Sequence, residues 1–312
     1  MTRQPHDQFA KQYLEELLAP LGEVQVSREV AGEVRQIDVW FAPSPTSTGD
    51  REILGLLGRM ASSPCLLEPF RNQPSKTEIR NCLLKLFSLH SQLQRQARRE
   101  DDTLTEASLP VLWIITTSAS TALLDSFKAT QPDNWLPGVY FLAEALKTAV
   151  VAINQLPTTP ETLWLRILGK GTTQQQAINE LIALPQGNPL RSNVLELLST
   201  WRVNLESKDN ITEDERELIM QLSPAYLKWR EDTLQEGRQE GRQEGRQEGR
   251  LEGERLVVEN LLRARFGSID EALSTAIAPM LQLPPQEFAS LILQLSNLSR
   301  EELLARFGIS GS

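Results

Sequence analysis

The stretch that decides the fold covers residues 23–43 and reads EVQVSREVAGEVRQIDVWFAP. Two runs rich in β-branched and aromatic residues flank a short Ala-Gly-Glu segment at residues 31–33. Such runs favour strands, and a short glycine-containing connection between them is typical of a β-hairpin. The stretch therefore predicts two antiparallel strands near the beginning of the chain.

Asp38 stands in the middle of the second run. Because side chains alternate across a strand, Ile37, Val39 and Phe41 are expected on one face and Asp38 on the other. Aspartate is depleted in strands, and its burial costs free energy unless the carboxylate is paired or binds a metal. Asp38 is thus the first candidate functional residue. The alternative is that it lies at a solvated edge or pairs with a neighbouring arginine such as Arg35.

Composition limits the class of protein. The chain has 312 residues, of which 40% are hydrophobic, enough for two domains with packed cores. A net charge of −9 argues against a general nucleic-acid coat but leaves room for a local basic cleft. Two cysteines, Cys65 and Cys82, and the lack of a secretory leader predict neither disulfides nor export. No apolar run is long enough to span a membrane, so we expect a cytoplasmic protein.

Histidine and nucleotide chemistry have little support. The only histidines, His6 and His90, lie in no recognisable motif for a zinc site or a Ser-His-Asp triad. Residues 169–172 read GKGT, but the first glycine of a phosphate loop is replaced by Trp164, and Gly171 separates the lysine from the threonine. We therefore expect no bound nucleotide.

Carboxylates on two further segments accompany Asp38. A predicted amphipathic helix over residues 5–18 carries Glu16 close to its buried stripe, so that packing on the hairpin would bring Glu16 toward Asp38. The alternative is an ordinary carboxylate on the flank of the helix. Residues 65–67 form an apolar run that ends in Glu68, where Pro69 is expected to stop the strand.

The following elements complete the predicted α/β domain. Ser75 opens a helix as its N-cap, and Arg95, Arg98 and Arg99 near the end complement the helix dipole. We interpret these arginines as a solvated face rather than as a nucleic-acid contact. Residues 110–116 form a continuous apolar run, as in strands that are buried on both faces. Alternating strands and helices predict a mixed α/β sheet flanked by helices.

The later part of the chain is predicted to be helical. Residues 235–250 repeat QEGR four times, which places a glycine at every fourth position. Glycine costs roughly 1 kcal/mol in a helix, so the repeat forms one only if something packs on the glycines. We interpret it as a spacer, with a self-association helix as the alternative. Amphipathic segments with capping residues then predict a small all-α domain.

The pattern of an N-terminal PHDQFAK segment, a helix, a hairpin with Asp38 and an apolar run ending in Glu68 resembles the PD-(D/E)xK superfamily. Within it, the resemblance is to recombination-promoting nucleases and transposase-like proteins. It covers about residues 5–155, while residues 256–309 resemble a helical domain of unknown function found behind such nucleases. The resemblance implies a restriction-endonuclease-like fold and Mg²⁺-dependent cleavage of DNA. It assigns the metal to Glu16, Asp38 and Glu68, since hard Mg²⁺ prefers carboxylates and water.

One position departs from this pattern. The family carries lysine or glutamine two residues after its third acid, where this chain has Phe70. Arg71 or Lys76 would have to take over this role, and we assign it to Arg71 as the third catalytic residue beside Asp38 and Glu68. The departure predicts weakened or lost catalysis.

The sequence thus predicts three regions. Residues 1–206 form the nuclease-like domain, 207–254 a helical linker with the repeat, and 255–312 the all-α domain. The first functional hypothesis is a Mg²⁺-dependent DNA endonuclease associated with recombination or transposition. The second is a non-catalytic interaction protein that forms homo-oligomers through residues 212–266.

Overall fold

The computed structural model describes residues 5–30, 35–46, 49–101 and 103–309. The hairpin turn predicted at residues 31–33 lies outside them. The chain divides into two compact units, Met1–Glu231 and Asp232–Ser312. Within the described residues, we find no helix that combines the length and the apolarity needed to cross a membrane.

A six-stranded mixed sheet forms the centre of the first unit. Its strands are β1 (Gly22–Val30), β2 (Arg35–Pro43), β3 (Cys65–Phe70), β4 (Val111–Thr116), β5 (Val139–Phe141) and β6 (Thr148–Ala152). They lie in the order β1-β2-β3-β4-β6-β5. The first three strands pair antiparallel, β3, β4 and β6 run parallel, and β5 returns antiparallel to β6. The predicted mixed α/β sheet is confirmed.

Helices cover both faces of this sheet. They are α1 (Pro5–Leu18), α2 (Leu56–Met60), α3 (Lys76–Glu100), α4 (Thr121–Ser126), α5 (Leu163–Arg166), α6 (Gly171–Ala183), α7 (Arg191–Glu206) and the beginning of α8 (Glu213–Phe266). Helices α1, α2 and α5 to α8 contribute to the core on one face. Helices α3 and α4 contribute to the core on the other face. The strands are therefore buried between two helical layers.

The alternation of side chains along β2 is interrupted at Asp38. Val39 and Phe41 lie in the core beneath α1, as expected, but Ile37 lies in the core beneath α3. The expectation that these three residues share a face is therefore wrong for Ile37. On β1, Ser27 has a φ of 56°, a left-handed conformation that few non-glycine residues adopt. This distortion stands opposite Asp38 in the β1–β2 register and accounts for the change of face.

Pro69 does not end its strand, contrary to the prediction. β3 continues to Phe70, and Pro69 is the partner of Ile115 on β4. The pairing of β2 with β3 has already stopped at Val39 and Leu67, so the other side of β3 is open at this point. A proline is tolerated there because its missing N–H can face the side without a partner strand.

The first unit extends beyond the predicted boundary at residue 206. Leu218, Leu222 and Ala225 of α8 are buried in the core beneath α1, which brings the compact unit to Glu231. The same helix continues through the QEGR repeat. Residues 235–250 are thus helical, although an ideal Cβ built on any glycine from Gly237 to Gly253 meets nothing within 4 Å.

The second unit contains the end of α8 and three further helices. They are α9 (Glu271–Leu281), α10 (Pro285–Gln294) and α11 (Arg300–Arg306). Val258 and Leu262 of α8 pack with Leu273, Leu291 and other residues of these helices in a separate hydrophobic core. The predicted C-terminal helical region is confirmed.

Candidate functional site: two carboxylates where the strands separate

Asp38 and Glu68, which we call the acid pair, lie where β2 and β3 separate. The last paired residues of these strands are Val39, one position after Asp38, and Leu67, one position before Glu68. The backbone N–H of Asp38 donates to Oε1 of Glu68 at 3.4 Å. β3 meanwhile remains paired with β4 through Phe70. The opening between the strands therefore brings the backbone of Asp38 against the carboxylate of Glu68 in the interior of the sheet.

Glu68 is held by helix α3. Its side chain is only 2% exposed, and the ammonium of Lys85 donates to Oε2 at 2.7 Å. The thiol of Cys82, one turn earlier on the same face of α3, lies 3.8 Å from the same oxygen. A buried carboxylate requires such partners, because an unpaired charge away from water is very costly. Lys85 is the counter-ion that permits Glu68 to be buried.

Asp38 is held by helix α1 on the other face of the sheet. Nζ of Lys11 lies 2.7 Å from Oδ1 of Asp38 and 3.1 Å from Oδ2 of Asp7. The Asp38 side chain keeps 20% of its surface exposed. Asp38 is therefore paired, as one alternative foresaw, with a lysine of α1, while the side chain of Arg35, the partner named in that alternative, lies outside the description. Charged groups form a continuous chain from α1 through the acid pair to α3.

This environment shifts the pKa values of Glu68 and of both lysines, and it raises that of the Cys82 thiol through burial and the charge of Glu68. Burial and the charge of Asp38 raise the pKa of Glu68 to about 7, although Lys85 acts in the opposite direction. Burial lowers the pKa of Lys85, but the charge and hydrogen bond of Glu68 outweigh it, and the net shift is upward. The pKa of Lys11 is likewise raised, because Asp38 and Asp7 outweigh burial. Both lysines therefore carry a full charge at neutral pH.

The remaining predicted site residues lie apart from the acid pair. Glu16 accepts a hydrogen bond from the amide of Asn193 on α7. The guanidinium of Arg71 donates to the carbonyl of Gly169 at 2.6 Å and to Gln174 at 3.3 Å. Phe70 packs against the core beneath α3. Arg71 thus joins the end of β3 to α6, and contacts of this kind are structural.

The sequence reasoning missed both lysines. Lys85 interrupts an otherwise apolar segment of α3 that reads CLLKLFSL, and this irregularity was the available signal. Lys11 follows Asp7 by one helical turn and lies beside buried residues of α1, which is a weaker signal. Their pairing with the acids depends on which faces of the sheet the two helices cover.

The acid pair is a small donor set for a metal ion. Among the described residues, we find no group of three His, Cys, Asp or Glu side chains placed to hold one. Mg²⁺ usually takes one or two carboxylates and keeps several water or phosphate ligands, whereas zinc sites need three or four protein ligands. Asp38 is the partly accessible member of the acid pair, whereas Glu68 is buried and paired with Lys85. The pair therefore offers a metal at most two carboxylate ligands, a number that suits Mg²⁺ better than zinc.

The comparisons with known proteins add no relative to this picture. No family model, no curated protein and no solved structure matches the chain. The arrangement of the acid pair, Lys11 and Lys85 is therefore the basis on which function has to be argued.

Proposed function

We propose that the first unit is a Mg²⁺-dependent DNA endonuclease of the PD-(D/E)xK kind, with a restriction-endonuclease-like fold. The observation that carries this proposal is the meeting of Asp38, Glu68 and Lys85 where β2 and β3 separate. Asp38 and Glu68 take the roles of the strand carboxylates. Lys85, on helix α3, takes the role of the lysine that Phe70 replaces in the motif. Catalysis is therefore retained although the usual lysine position belongs to the core.

Each of these side chains has a distinct role in cleavage. Asp38 and Glu68 would hold Mg²⁺, which when bound lowers the pKa of water and polarises a phosphoryl oxygen. Lys85 stays protonated and provides a fixed positive charge for the phosphate as negative charge develops on it. Lys11 positions Asp38 through its 2.7 Å ion pair, and Asp7 in turn holds Lys11. Arg71 has no direct part in the reaction.

The test is cleavage of supercoiled plasmid by the purified full chain with Mg²⁺ or Mn²⁺ and with a chelator. Wild type should nick the plasmid only with metal. Asp38→Asn and Glu68→Gln should each lower the rate at least about a hundredfold, since such residues act directly on the transition state. Lys85→Met should do the same, and Lys85→Arg should recover part of the rate.

Glu16→Gln is the matched control, because it neutralises a carboxylate of the same domain that lies apart from the acid pair. It should cleave like wild type. Circular dichroism and thermal melting confirm that each variant is folded. A folded wild type that does not cleave with either metal, or an Asp38→Asn variant as active as wild type, would refute the proposal.

A second function is supported by the repeat helix. Among the described residues, an ideal Cβ on each glycine of residues 237–253 meets nothing within 4 Å, while glutamates and arginines flank the glycines in sequence. With one glycine every four residues, the glycines form a stripe that winds around α8 by about 40° per repeat. On a helix these charges fall about 100° to either side of the glycines. Two parallel copies that wind around each other along the glycine stripe would therefore place glutamate opposite arginine on both edges. This favours a homo-oligomeric interaction protein.

Analytical ultracentrifugation over a wide range of concentrations tests this second function. A concentration-dependent dimer that dissociates when the glycines are replaced would support it. A monomer throughout would leave the repeat as a helical spacer. The nuclease function does not require the dimer. DNA cleavage is therefore compatible with a dimer and with a monomer.

A further inference from the structure

Helix α3 is strongly basic in an acidic protein. Its 25 residues contain six lysines and arginines and two glutamates, a net charge of +4, whereas the whole chain carries −9. No ion pair joins Arg95 or Arg99 to another described residue. Arg95 is predicted from the sequence to complement the helix dipole together with Arg98 and Arg99, but only Arg98 and Arg99 lie in the last turn of α3. The excess of positive charge on α3 therefore calls for another explanation.

Six polar residues of α3 form one stripe along the helix, which we call the α3 stripe. They are Asn81, Lys85, Ser88, Gln92, Arg95 and Arg99. Their alternating spacing of four and three residues places them on one face of a helix. Every member is at least partly exposed. The stripe thus presents hydrogen-bond donors and positive charges without an intervening acid.

The α3 stripe passes the acid pair at its second residue. Lys85 belongs to it and contacts Glu68 at 2.7 Å. On the opposite flank of α3, His90 is hydrogen-bonded to the carbonyl of Pro110, just before β4, at 2.9 Å. The stripe therefore faces the side of β2 and β1. There the guanidinium of Arg28 lies 5.0 Å from the ring of Trp40, which adds a further positive charge on the same face of the sheet.

We propose that the α3 stripe binds the phosphate backbone of duplex DNA and guides it toward the acid pair. The proposal rests on the proposed endonuclease function and names the surface that holds its substrate. From Asn81 to Arg99 the stripe is about 27 Å long, because an α-helix rises 1.5 Å per residue. This length matches about eight base pairs, each rising about 3.4 Å. Lysine and arginine supply charge, while the amide and hydroxyl groups donate hydrogen bonds to phosphate oxygens.

Binding of DNA by the α3 stripe should not depend on the identity of the bases. Its side chains are those that contact phosphate and sugar, and α3 is half buried against the sheet, so it cannot enter the major groove as a recognition helix does. We therefore expect binding that is insensitive to sequence and strongly dependent on salt.

The experiment measures fluorescence anisotropy of a labelled random-sequence duplex of about 20 base pairs, long enough to cover the stripe. The full chain is used with a chelator, so that cleavage plays no part. Arg95→Gln/Arg99→Gln should weaken binding about ten- to a hundredfold near 0.1 M salt. With fewer phosphate contacts, binding releases fewer counterions from the DNA. The slope of log affinity against log salt should fall by about 2. Circular dichroism verifies that the variant is folded.

Arg242→Gln/Arg246→Gln is the matched control, because it removes two exposed helical arginines from the repeat with the same change in charge. It should bind DNA like wild type. An equal loss in both variants would mean general electrostatic attraction and would overturn the proposal. So would unchanged binding by the stripe variant, or a preference of the stripe for an acidic peptide over the duplex.

Binding and cleavage separate the two proposals. If the stripe variant loses DNA binding while the wild type cleaves no plasmid, the stripe stands and the endonuclease function fails. If the wild type cleaves plasmid while the stripe variant binds normally, the endonuclease stands and the stripe fails.

Discussion

The pairing of Glu68 with Lys85 makes stability depend on pH in a predictable direction. Glu68 is 2% exposed and Lys85 16%. In Lys85→Met, Glu68 loses its counter-ion on α3, so as the pH rises the folded state must either bury an unpaired charge or keep Glu68 protonated, and both cost stability. We expect a loss of about 3 kcal/mol in the free energy of unfolding near pH 8. The loss should shrink as the pH falls, because protonated Glu68 needs no counter-ion.

Urea denaturation of wild type and Lys85→Met across this pH range measures the effect. The double variant Lys85→Met/Glu68→Gln should recover most of the lost stability, since it removes both charges at once. A loss that is the same at every pH would mean that Lys85 stabilises by packing alone.

His6 gives a second pH dependence, at a position away from the acid pair. Burial, together with the charge of Arg71, lowers the pKa of His6 to about 3, and its Nε2 has no hydrogen-bond partner among the residues that the structure describes. The unfolded chain therefore takes up a proton below pH 6.5 that the folded chain excludes, and stability falls as the pH falls. Lowering the pH from about 7 to about 5 should cost about 2 kcal/mol through His6 alone. In His6→Gln, thermal or urea unfolding at the two pH values should lack this difference.

At the residue scale, the chemistry of single positions was easier to predict than their partners. An acid inside an apolar strand is unusual enough to single out Asp38, and Glu68 follows an apolar run in the same way. Their lysines lie on helices, 27 positions before Asp38 and 17 after Glu68. Which residues meet across a sheet depends on which face each helix covers, and hydrophobic periodicity does not specify that.

At the scale of elements, the repeat of α8 gives the clearest prediction. If α8 does not self-associate, replacing Gly241, Gly245 and Gly249 by alanine should raise its helix content. Each change stabilises a helix by roughly 1 kcal/mol. No described atom lies near these positions within the chain, so nothing should clash. If α8 self-associates through the glycines, the same variant should instead dissociate, because the added methyl groups keep the two helices apart. Circular dichroism and sedimentation velocity, measured together, distinguish these results.

Strong sequence patterns predict which segments form strands and helices. Where a strand ends and which face a residue takes depend on the neighbouring strands. The apolar run at residues 110–116 is β4, and the capping pattern at Ser75 opens α3. Pro69 was expected to end β3 because a proline lacks an N–H, but β3 has no partner strand on one side at that point. The change of face at Ile37 likewise arises from the backbone of Ser27 on another strand. Local sequence does not report such long-range conditions.

At the scale of the whole molecule, the two compact units have separate cores and should respond separately to mutation. Leu291 is fully buried in the core of the second unit. Leu291→Ala should destabilise that unit by about 2–5 kcal/mol, as is usual for large-to-small changes in a core. Differential scanning calorimetry should show one transition shifted to lower temperature and the other unchanged. A shift of the whole unfolding profile would mean that the units unfold as one.

The packing of α1 has a consequence for how the protein is made. The hydroxyl of Tyr13 donates to the carbonyl of Trp164, 151 residues further along the chain. Phe9, one turn away, stacks on Trp201 with ring centroids 4.1 Å apart. A ribosome that adds about 5–20 residues per second needs about 8 to 30 s to produce the partner of Tyr13 after Tyr13 itself. During this time the part of the apolar face of α1 that contacts Trp164 and Trp201 is without its native cover, whereas the contacts of α1 with β1, β2 and β3 can form earlier.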